Sequence, residues 1–278
     1  MYCYLNGRIL KVSDAKVSIF DIGMMRGFGV YEAMTSFGSN IFMWQEHLER
    51  FRRTADFLDI EIPISDAEIQ KVCYELINKN GFKRANIKFI LTGGEAMEGI
   101  LYDRQKPTFY ILVEEWKPIE ERNYTEGARV DILENLRQYP EYKTTNYITA
   151  VRAYSKIYNK IKQNNFLETL YFKNGFVLEF STSNIFIVKD GVLATPEENI
   201  LKGITRKVAI DLAHRIGLKI ENREVTLVEL YEADECFLTS SFKDIVPIVF
   251  VGDKQIGTGK IGEITKKLME EFRIFTES

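Results

Sequence analysis

The sequence predicts an α+β protein built from two halves, and three observations support this fold class. Helical and strand periodicities are mixed along the chain without an internal repeat. An Asn-Gly pair at 174–175 and an Asp-Gly pair at 190–191 are strong hairpin signals in the second half. A polar stretch containing proline and glycine, 116–127, separates the halves. We therefore expect a first domain over 1–116, a linker over 117–126 and a second domain over 127–278.

The first half opens with a strand and turn and contains two predicted helices. In Trp44–Leu58, apolar residues recur at helical spacing. In Asp66–Asn80, Ser65 is the expected N-cap and Gly81 the stop. Strands are predicted over Ala85–Thr92 and Thr108–Glu114, with a Thr92-Gly93-Gly94 turn after the first.

The second half is expected to be rich in strands. Helices are predicted over Asn146–Lys162 and Arg206–Ile216, and Gly217 ends the second. Glu179 lies in a strand between the two hairpin turns. Further strands around Lys219–Val225, Glu235–Thr239 and Val246–Val251, followed by a short C-terminal helix, complete this half.

Composition argues against several classes of function. The net charge is −3 and the isoelectric point is near 5.7, so we expect no nucleic-acid surface. No apolar run approaches the roughly 20 residues of a membrane helix, and the first residues do not resemble a secretion signal. Three distant cysteines and two histidines favour neither a disulfide framework nor a metal site. We expect a cytoplasmic protein with no bound metal and no membrane partner.

Two short motifs do not fit their usual context. Gly257-Thr-Gly259-Lys-Ile-Gly262 spells GxGxxG, but a dinucleotide site needs an acidic residue about 20 positions later. Only sixteen residues follow Gly262, so a hairpin return and a helix start are expected there. Asn123-Tyr-Thr125 is a glycosylation sequon that we attribute to chance.

Three features together fit the chemistry of one cofactor. Lys143 offers an amine, Glu179 a carboxylate, and Gly203-Ile-Thr-Arg206 opens a helix whose first amides can hold an anion. Pyridoxal 5′-phosphate needs a lysine for its Schiff base, an acid for its pyridine nitrogen and donors for its phosphate. Singly, each feature has an ordinary explanation: a solvated lysine, an outer-face glutamate, and a helix simply capped by Thr205.

Six motifs follow one another along nearly the whole chain. They are Arg26-Gly-Phe-Gly-Val-Tyr-Glu32, His47-Leu-Glu-Arg50, Lys143-Thr-Thr-Asn-Tyr147, Glu179-Phe-Ser-Thr-Ser-Asn-Ile185, Leu201-Lys-Gly-Ile-Thr-Arg206 and Ala233-Asp-Glu235. This ordered set resembles the class IV, or fold-type IV, pyridoxal-phosphate aminotransferases. The resemblance implies a two-domain, D-amino-acid-aminotransferase-like fold, with a small N-terminal α/β domain and a larger C-terminal β-rich pseudo-barrel domain.

The resemblance also implies a role for each cofactor residue. Lys143 would form the Schiff base and shuttle the proton between substrate and cofactor. Glu179 would pair with the pyridinium nitrogen, and Tyr147 would hydrogen-bond the 3′-oxygen of the ring. Helical periodicity places Arg50 opposite the apolar stripe of its helix, but the resemblance places it on the phosphate. The remaining cofactor residues would be Leu201 against the ring and Gly203, Ile204, Thr205 and Ser241 around the phosphate.

Substrate binding is implied to depend on a homodimer, because family active sites are completed at the dimer interface near Tyr31. Thr35 stands where branched-chain enzymes carry an arginine, and Glu98-Gly-Ile100 stands where well-known bacterial D-amino-acid transaminases carry Arg-x-His. A substrate carboxylate in a partly desolvated pocket still needs a cation.

Arg26 and Lys88 are therefore the candidates for this carboxylate, with Tyr31 and Phe242 as further substrate contacts. The alternatives are an interface salt bridge for Arg26 and a solvent-facing strand position for Lys88.

We predict a pyridoxal-phosphate transaminase that exchanges the amino group between a D-amino acid and a 2-oxo acid such as 2-oxoglutarate or pyruvate. One alternative is a branched-chain L-amino-acid aminotransferase. Another is a 4-amino-4-deoxychorismate lyase, which would use the same lysine without net amino transfer. A non-catalytic binding protein of the same fold is a third, but binding alone needs no Schiff-base lysine.

Overall fold

The structure, a computed structural model, describes residues 1–38, 40–164 and 166–277. The chain folds into two compact units: unit 1 is Met1–Lys117 with Tyr142–Tyr147, and unit 2 is Pro118–Glu141 with Ile148–Ser278. The lysine segment, 142–147, thus belongs to the first unit, although it follows the polar stretch that we interpreted as a linker.

Unit 1 is built on an antiparallel sheet with strand order β2-β1-β8-β5-β3-β4. Its elements are β1 (Tyr2–Leu5), β2 (Arg8–Lys11), α1 (Ile22–Arg26), β3 (Gly29–Phe37), β4 (Asn40–Ile41), α2 (Trp44–Phe57), α3 (Asp66–Asn80), β5 (Arg84–Thr92), β6 (Ala96–Glu98), β7 (Leu101–Tyr102) and β8 (Thr108–Glu115). The strands β6 and β7 form a separate hairpin.

The two larger helices of unit 1 confirm their predicted positions. Ser65 and Glu68 form a reciprocal capping box at the start of α3, and Gly81 ends this helix with a φ of 73°. The helices α2 and α3 cover one face of the sheet, where Phe51, Phe89 and Phe109 are fully buried in ring-to-ring contact. The other sheet face carries Tyr31 and Lys88.

Unit 2 is built on a ten-stranded mixed sheet with order β14-β13-β12-β16-β17-β9-β10-β11-β15, and β18 pairs with β17. Its elements are α4 (Arg122–Thr125), β9 (Ala128–Glu134), α5 (Ile148–Asn164), β10 (Phe166–Lys173), β11 (Phe176–Phe180), β12 (Asn184–Lys189), β13 (Val192–Thr195), α6 (Ile204–Arg215), β14 (Lys219–Asn222), β15 (Val225–Thr226), α7 (Leu227–Tyr231), β16 (Glu235–Ser240), β17 (Asp244–Val251), β18 (Lys254–Gln255) and α8 (Glu263–Glu277).

Both predicted hairpin turns of unit 2 are present. Asn174 and Gly175 have φ values of 50° and 83°, and Asp190 and Gly191 have 48° and 75°. Two successive positive φ angles define a type I′ turn, whose twist matches that of the flanking strands. The first turn sets the register that places Glu179 in β11.

Some element boundaries differ from the prediction. The helix α5 begins at Ile148, two residues later than predicted, and α6 begins at Ile204, two residues earlier. The earlier start of α6 follows from Gly203 acting as its N-cap. A short helix, α4, lies within the stretch predicted as a linker, and Asn123 in it is buried.

The GxGxxG stretch is a turn that leads into the predicted helix start; the predicted hairpin return lies before it, at 252–253 between β17 and β18. Gly257 and Gly259 have positive φ, and Gly262 immediately precedes α8. A Cβ at position 262 would lie 1.8 Å from the carboxyl carbon of Glu235. The glycine therefore packs closely against the Glu235 side chain.

Candidate active site

Lys143 is anchored in unit 1 through backbone hydrogen bonds to strand β3. The Tyr31 N–H donates to the Lys143 carbonyl at 2.9 Å, and the Thr145 N–H donates to the Gly29 carbonyl at 2.8 Å. The Lys143 N–H donates to Thr54 Oγ1 on α2 at 3.3 Å. The lysine is thus fixed beside one sheet edge and one helix.

The Lys143 ammonium lies beside two tyrosines. Its Nζ atom is 3.5 Å from Tyr147 Oη and 5.4 Å from the centroid of the Tyr31 ring. The two rings meet edge to face at 5.8 Å. Burial raises the pKa of Tyr31 above its ordinary range, and the nearby Tyr147, Glu32 and Glu114 add to the shift. Tyr31 is therefore a neutral hydroxyl at physiological pH.

Arg50 lies on α2 and is held by a buried carboxylate. Its Nε donates to Glu32 Oε2 at 2.9 Å, and its Nη2 donates to Glu32 Oε1. Two further groups contact Glu32 Oε1. His47 Nδ1 lies 2.9 Å from this oxygen, and the Ala33 N–H donates to it at 2.8 Å. We call Glu32, His47 and Arg50 the Glu32 cluster; each is at most 5% exposed. Periodicity was therefore a poor guide to Arg50, because a side chain opposite the apolar stripe can be buried when it is paired.

The Glu32 cluster carries a fixed charge pattern. Burial alone would raise the pKa of Glu32, but the Arg50 charge and the hydrogen bonds from Arg50 and His47 lower it overall. Burial lowers the pKa of His47, although Glu32 opposes this shift. Glu32 is thus ionised and His47 neutral near pH 7. His47 Nδ1 then carries the proton that Glu32 accepts, which leaves Nε2 unprotonated and without a hydrogen-bond partner among the described residues.

The candidate carboxylate-binding cations occupy different settings in unit 1. Lys88 lies on the same sheet face as Tyr31, with its side chain 27% exposed and ion-paired with Glu114. Arg26 ends α1 and is exposed, and its Nη1 donates to the Met25 carbonyl at 2.9 Å. Thr35 is 1% exposed and donates to the Ala85 carbonyl at 3.2 Å.

In unit 2, Glu179 is a buried carboxylate with a partner on each oxygen. It is 5% exposed; Arg137 Nε donates to its Oε1 at 2.6 Å and the Leu201 N–H to its Oε2 at 3.1 Å. Arg137 also donates to the Pro140 carbonyl. These contacts are what burial of a carboxylate requires.

The N-terminus of α6 follows directly from Leu201. Gly203 is the N-cap, and no side chain caps the first turn. A Cβ at position 203 would lie 2.0 Å from Asn184 Oδ1, and Asn184 Nδ2 donates to the Leu201 carbonyl at 2.7 Å. Thr205 is 2% exposed, and its Oγ1 has no hydrogen-bond partner among the described residues. An uncapped helix start and a buried free hydroxyl suit an anion.

Ser241 and Phe242 lie in the turn that joins Ser240 of β16 to Asp244 of β17. Lys243 ties this turn to the segment after Glu179, because its Nζ forms an ion pair with Glu168 and donates to Thr182 Oγ1 at 2.8 Å. The turn is thus held by a buried charge pair.

The structure brings the predicted residues together in two groups, one in each unit. Lys143, Tyr147, Tyr31 and Arg50 share unit 1, while Glu179, Leu201, Gly203, Ile204, Thr205, Ser241 and Phe242 share unit 2. Sequence reasoning assigned no role to Glu32, His47 or Arg137. The need of a buried Glu179 for a cation was a usable signal, but it could not say which arginine would supply it.

The described part of the chain contains no group of three or more His, Cys, Asp or Glu side chains placed to hold a metal. Among the described helices, none has the length and hydropathy needed to cross a bilayer.

Comparisons with known proteins agree on one family. The family model described as amino-transferase class IV matches residues 29–251. A putative branched-chain-amino-acid aminotransferase of Methanocaldococcus jannaschii is 37% identical over 285 residues, covering 98% of this chain and 96% of that protein. A D-alanine aminotransferase of Listeria monocytogenes is 31% identical over 287 residues, covering 98% and 95%.

A solved structure extends this agreement to the fold. The branched-chain amino acid aminotransferase of T.th. with pyridoxamine 5′-phosphate superimposes with a TM-score of 0.89 at 25% identity, covering 98% of this chain and 92% of that one. The match confirms the predicted fold class. The chain belongs to the class IV aminotransferase family.

Proposed function

We propose that this chain transfers the amino group of a D-amino acid to a 2-oxo acid. As a class IV aminotransferase it acts on amino acids and 2-oxo acids; the D preference is the new element. The observation that carries the amino-transfer chemistry is the setting of Lys143, whose amine lies beside two tyrosines on an anchored backbone. The D preference rests on the carboxylate pocket described below. A lysine serving only solubility would need no such anchor.

The cofactor is pyridoxal 5′-phosphate, and the side chains of each unit suit it. In unit 2, the uncapped start of α6 and the free Thr205 hydroxyl offer donors for a phosphate. Glu179, which is paired with Arg137, offers a carboxylate partner for a protonated ring nitrogen. When bound, this cofactor supplies an electron sink for charge that develops at the substrate α-carbon.

The residues of the chain perform the remaining tasks. As a neutral amine, Lys143 Nζ would move the proton between the α-carbon of the substrate and the cofactor within each half-reaction. The Tyr31 ring and the Tyr147 hydroxyl lie beside the lysine, and the neutral Tyr31 adds no competing charge. Ser241 and the first turn of α6 bind phosphate oxygens, and Leu201 packs against the ring.

Two observations support D-amino acids as donors. The position where branched-chain enzymes carry an arginine is Thr35, whose hydroxyl is buried and already donates to the backbone. The carboxylate must then be bound by Lys88, on the Tyr31 face of the sheet, or by the exposed Arg26. Relatives named D-alanine aminotransferases, at 31% identity, are consistent with this choice.

A branched-chain L-amino-acid aminotransferase is the second candidate. The specific observation in its favour is the 37% identity to the M. jannaschii protein that carries this name. The same lysine and glutamate would serve either substrate, so only the carboxylate and side-chain pockets separate the two candidates.

We further propose that the enzyme works as a homodimer. Unit 1 exposes large apolar side chains around Arg26, including Ile19, Phe20 and Met24 at 61–78% exposure. Exposed apolar groups of this kind mark contact surfaces. Burying them against a second chain would also place Arg26 in a less polar setting.

The test uses purified protein loaded with cofactor and the visible absorbance of that cofactor. D-Alanine and L-leucine are added separately, without any oxo acid. Conversion of the spectrum by D-alanine alone supports the proposal, and conversion by L-leucine alone selects the branched-chain candidate. A cofactor band that neither amino acid changes would point to the lyase and end the transaminase proposal.

A further inference from the structure

Arg50 is oriented by Glu32 before any ligand binds. The guanidinium is planar, and two of its three nitrogens, Nε and Nη2, donate to the two oxygens of Glu32. Fixing two nitrogens of a planar group fixes the direction of the third. Nη1 is that third nitrogen, and it makes no hydrogen bond with the residues that the structure describes.

Burial makes this arrangement costly to build, which argues for a role beyond stability. Glu32 is fully buried and Arg50 is 5% exposed. A buried ion pair often stabilises a fold no more than apolar side chains of similar volume would. The pair also carries a third partner, because His47 Nδ1 contacts Glu32 Oε1 at 2.9 Å. Such a network restricts geometry more than it adds stability.

The same elements hold Lys143. Thr54 Oγ1 donates to the Arg50 carbonyl at 3.0 Å and accepts the Lys143 N–H at 3.3 Å. Tyr31, the residue before Glu32, donates its N–H to the Lys143 carbonyl. The backbones of Arg50 and Lys143 are therefore joined through Thr54, and the Lys143 backbone is also joined to the strand that carries Glu32.

We infer that Glu32 is a positioning residue, which aims the Arg50 guanidinium at the cofactor phosphate, and that His47 is its second anchor. This inference rests on the proposed function and on the phosphate contact that the family resemblance implies for Arg50. Glu32 itself touches neither substrate nor cofactor in this assignment.

The test separates phosphate binding from binding of the rest of the cofactor. Pyridoxal shares the ring and aldehyde of pyridoxal 5′-phosphate but lacks the phosphate. The dissociation constants of both are measured by fluorescence titration of the cofactor-free, full-length chain. In Glu32→Gln, the loss of charge-assisted hydrogen bonds to Arg50 should weaken pyridoxal 5′-phosphate binding about tenfold or more and leave pyridoxal binding unchanged.

Two more variants guard against a purely structural effect. His47→Leu removes one anchor and should give a smaller change of the same selectivity, which keeps the inference testable if Glu32→Gln does not fold. Glu235→Gln is the matched control, because it removes hydrogen bonds from a half-buried carboxylate in unit 2. It should leave the ratio of the two dissociation constants unchanged. Equal weakening of both ligands in the Glu32 and His47 variants would overturn the inference.

Arg50→Met distinguishes failure of the inference from failure of its premise. Suppose that Arg50→Met weakens binding of pyridoxal 5′-phosphate alone, while Glu32→Gln changes neither dissociation constant. Arg50 then binds phosphate without the help of Glu32, and the inference is wrong. If Arg50→Met weakens both ligands equally, the phosphate assignment of Arg50 is wrong and the inference falls with it. Absence of a cofactor band in the unmodified protein would instead refute the proposed function.

Discussion

At the scale of single residues, the Lys143 ammonium is the group whose surroundings are most specific. It lies 3.5 Å from Tyr147 Oη, and its backbone is fixed at both the N–H and the carbonyl. Lys143→Ala should remove the proton-transferring amine and abolish turnover, measured as oxo-acid formation from the amino donor. Lys156→Ala, at an exposed position of α5, should retain turnover. Unchanged turnover in Lys143→Ala would end the mechanism.

The two candidate carboxylate ligands can be told apart by kinetics. Lys88→Met or Arg26→Met should raise the donor KM by about tenfold and change kcat less, because the lost contact binds the ground state and the transition state alike. Lys88→Met also leaves Glu114 without its ion pair, so Glu114→Gln is the appropriate control. Normal kinetics in both methionine variants would remove the assignment.

His47 predicts a pH dependence of stability. Its pKa lies below the ordinary value of 6.5 because burial, together with the charges of Arg50 and Lys143, outweighs the opposing effect of Glu32. The unfolded chain therefore binds a proton near pH 6.5 that the folded chain resists. Stability should fall as the pH drops below that value, by at most about 1.4 kcal/mol per pH unit for one group.

The other histidine provides the control for this effect. Urea unfolding is measured at about pH 7.0 and about pH 5.5, which lie on either side of the ordinary histidine pKa. The unmodified chain should be less stable at the lower pH. This loss of stability should persist in His214→Gln, a substitution at an exposed site, and should be smaller in His47→Gln. An identical slope in all three proteins would contradict the explanation. The lowered pKa of Glu32 also makes stability fall with falling pH, but only below the ordinary glutamate pKa near 4.5.

At the scale of elements, α8 depends on a carboxylate from a neighbouring strand. Glu235 on β16 accepts hydrogen bonds from the Ile264 N–H at 3.1 Å and from the Thr265 N–H at 2.7 Å. Glu235→Gln should lower the free energy of unfolding by about 1 kcal/mol, through loss of the charge at the helix start. Chemical denaturation measures this change.

Glu263→Gln is the matched control for this helix. Glu263 also lies in the first turn of α8, but its side chain is 87% exposed and forms an ion pair with Lys266. Its loss should change stability by no more than about 0.5 kcal/mol. Equal effects of the two substitutions would mean that the Glu235 carboxylate does not act as a cap.

Elements whose signals are local in sequence were predictable. The N-cap at Ser65 and the two hairpin turns depend on residues within four positions of one another, and all three were predicted correctly. The start of α6 lies two residues earlier than predicted, because Gly203 and not a capping side chain is its N-cap. The backbone hydrogen bond between Tyr31 and Lys143 joins residues 112 positions apart, and hydrophobic periodicity cannot predict such a contact.

The candidate site shows the same division. Lys143, Glu179 and the α6 start could be proposed because each chemistry needs a recognisable residue type in a recognisable context. Arg137 and the orientation of Arg50 could not, because a charged residue in sequence does not reveal its partner. A site residue could be predicted when its role depends on the sequence around it, and could not be predicted when its role depends on a partner from another element.

At the scale of the whole molecule, the exposed apolar surface of unit 1 predicts self-association. Ile19, Phe20 and Met24 precede the Arg26 segment, and the Ala96 N–H donates to the Phe20 carbonyl at 3.0 Å. The β6–β7 hairpin adds Met97, Ile100 and Leu101, each more than half exposed. Phe20→Glu combined with Met24→Glu should convert a dimer into a monomer, measured by light scattering, and reduce turnover.

Val228→Glu is the control for this surface. Val228 on α7 is 64% exposed, so a charge there tests whether any exposed apolar residue has the same effect. It should leave the molar mass unchanged. A protein that stays dimeric with charges at positions 20 and 24 would place the interface elsewhere.

The anchoring of Lys143 has a consequence for how enzymes of this kind diverge. The atoms that hold its segment against β3 belong to the peptide backbone of Gly29, Tyr31 and Thr145, and peptide groups are the same whatever side chains they carry. Substitutions on the sheet surface can therefore alter which amino acid fits while the reactive amine stays where it is. A lineage could exchange one donor for another, or one hand of the α-carbon for the other, without rebuilding the part that performs the chemistry.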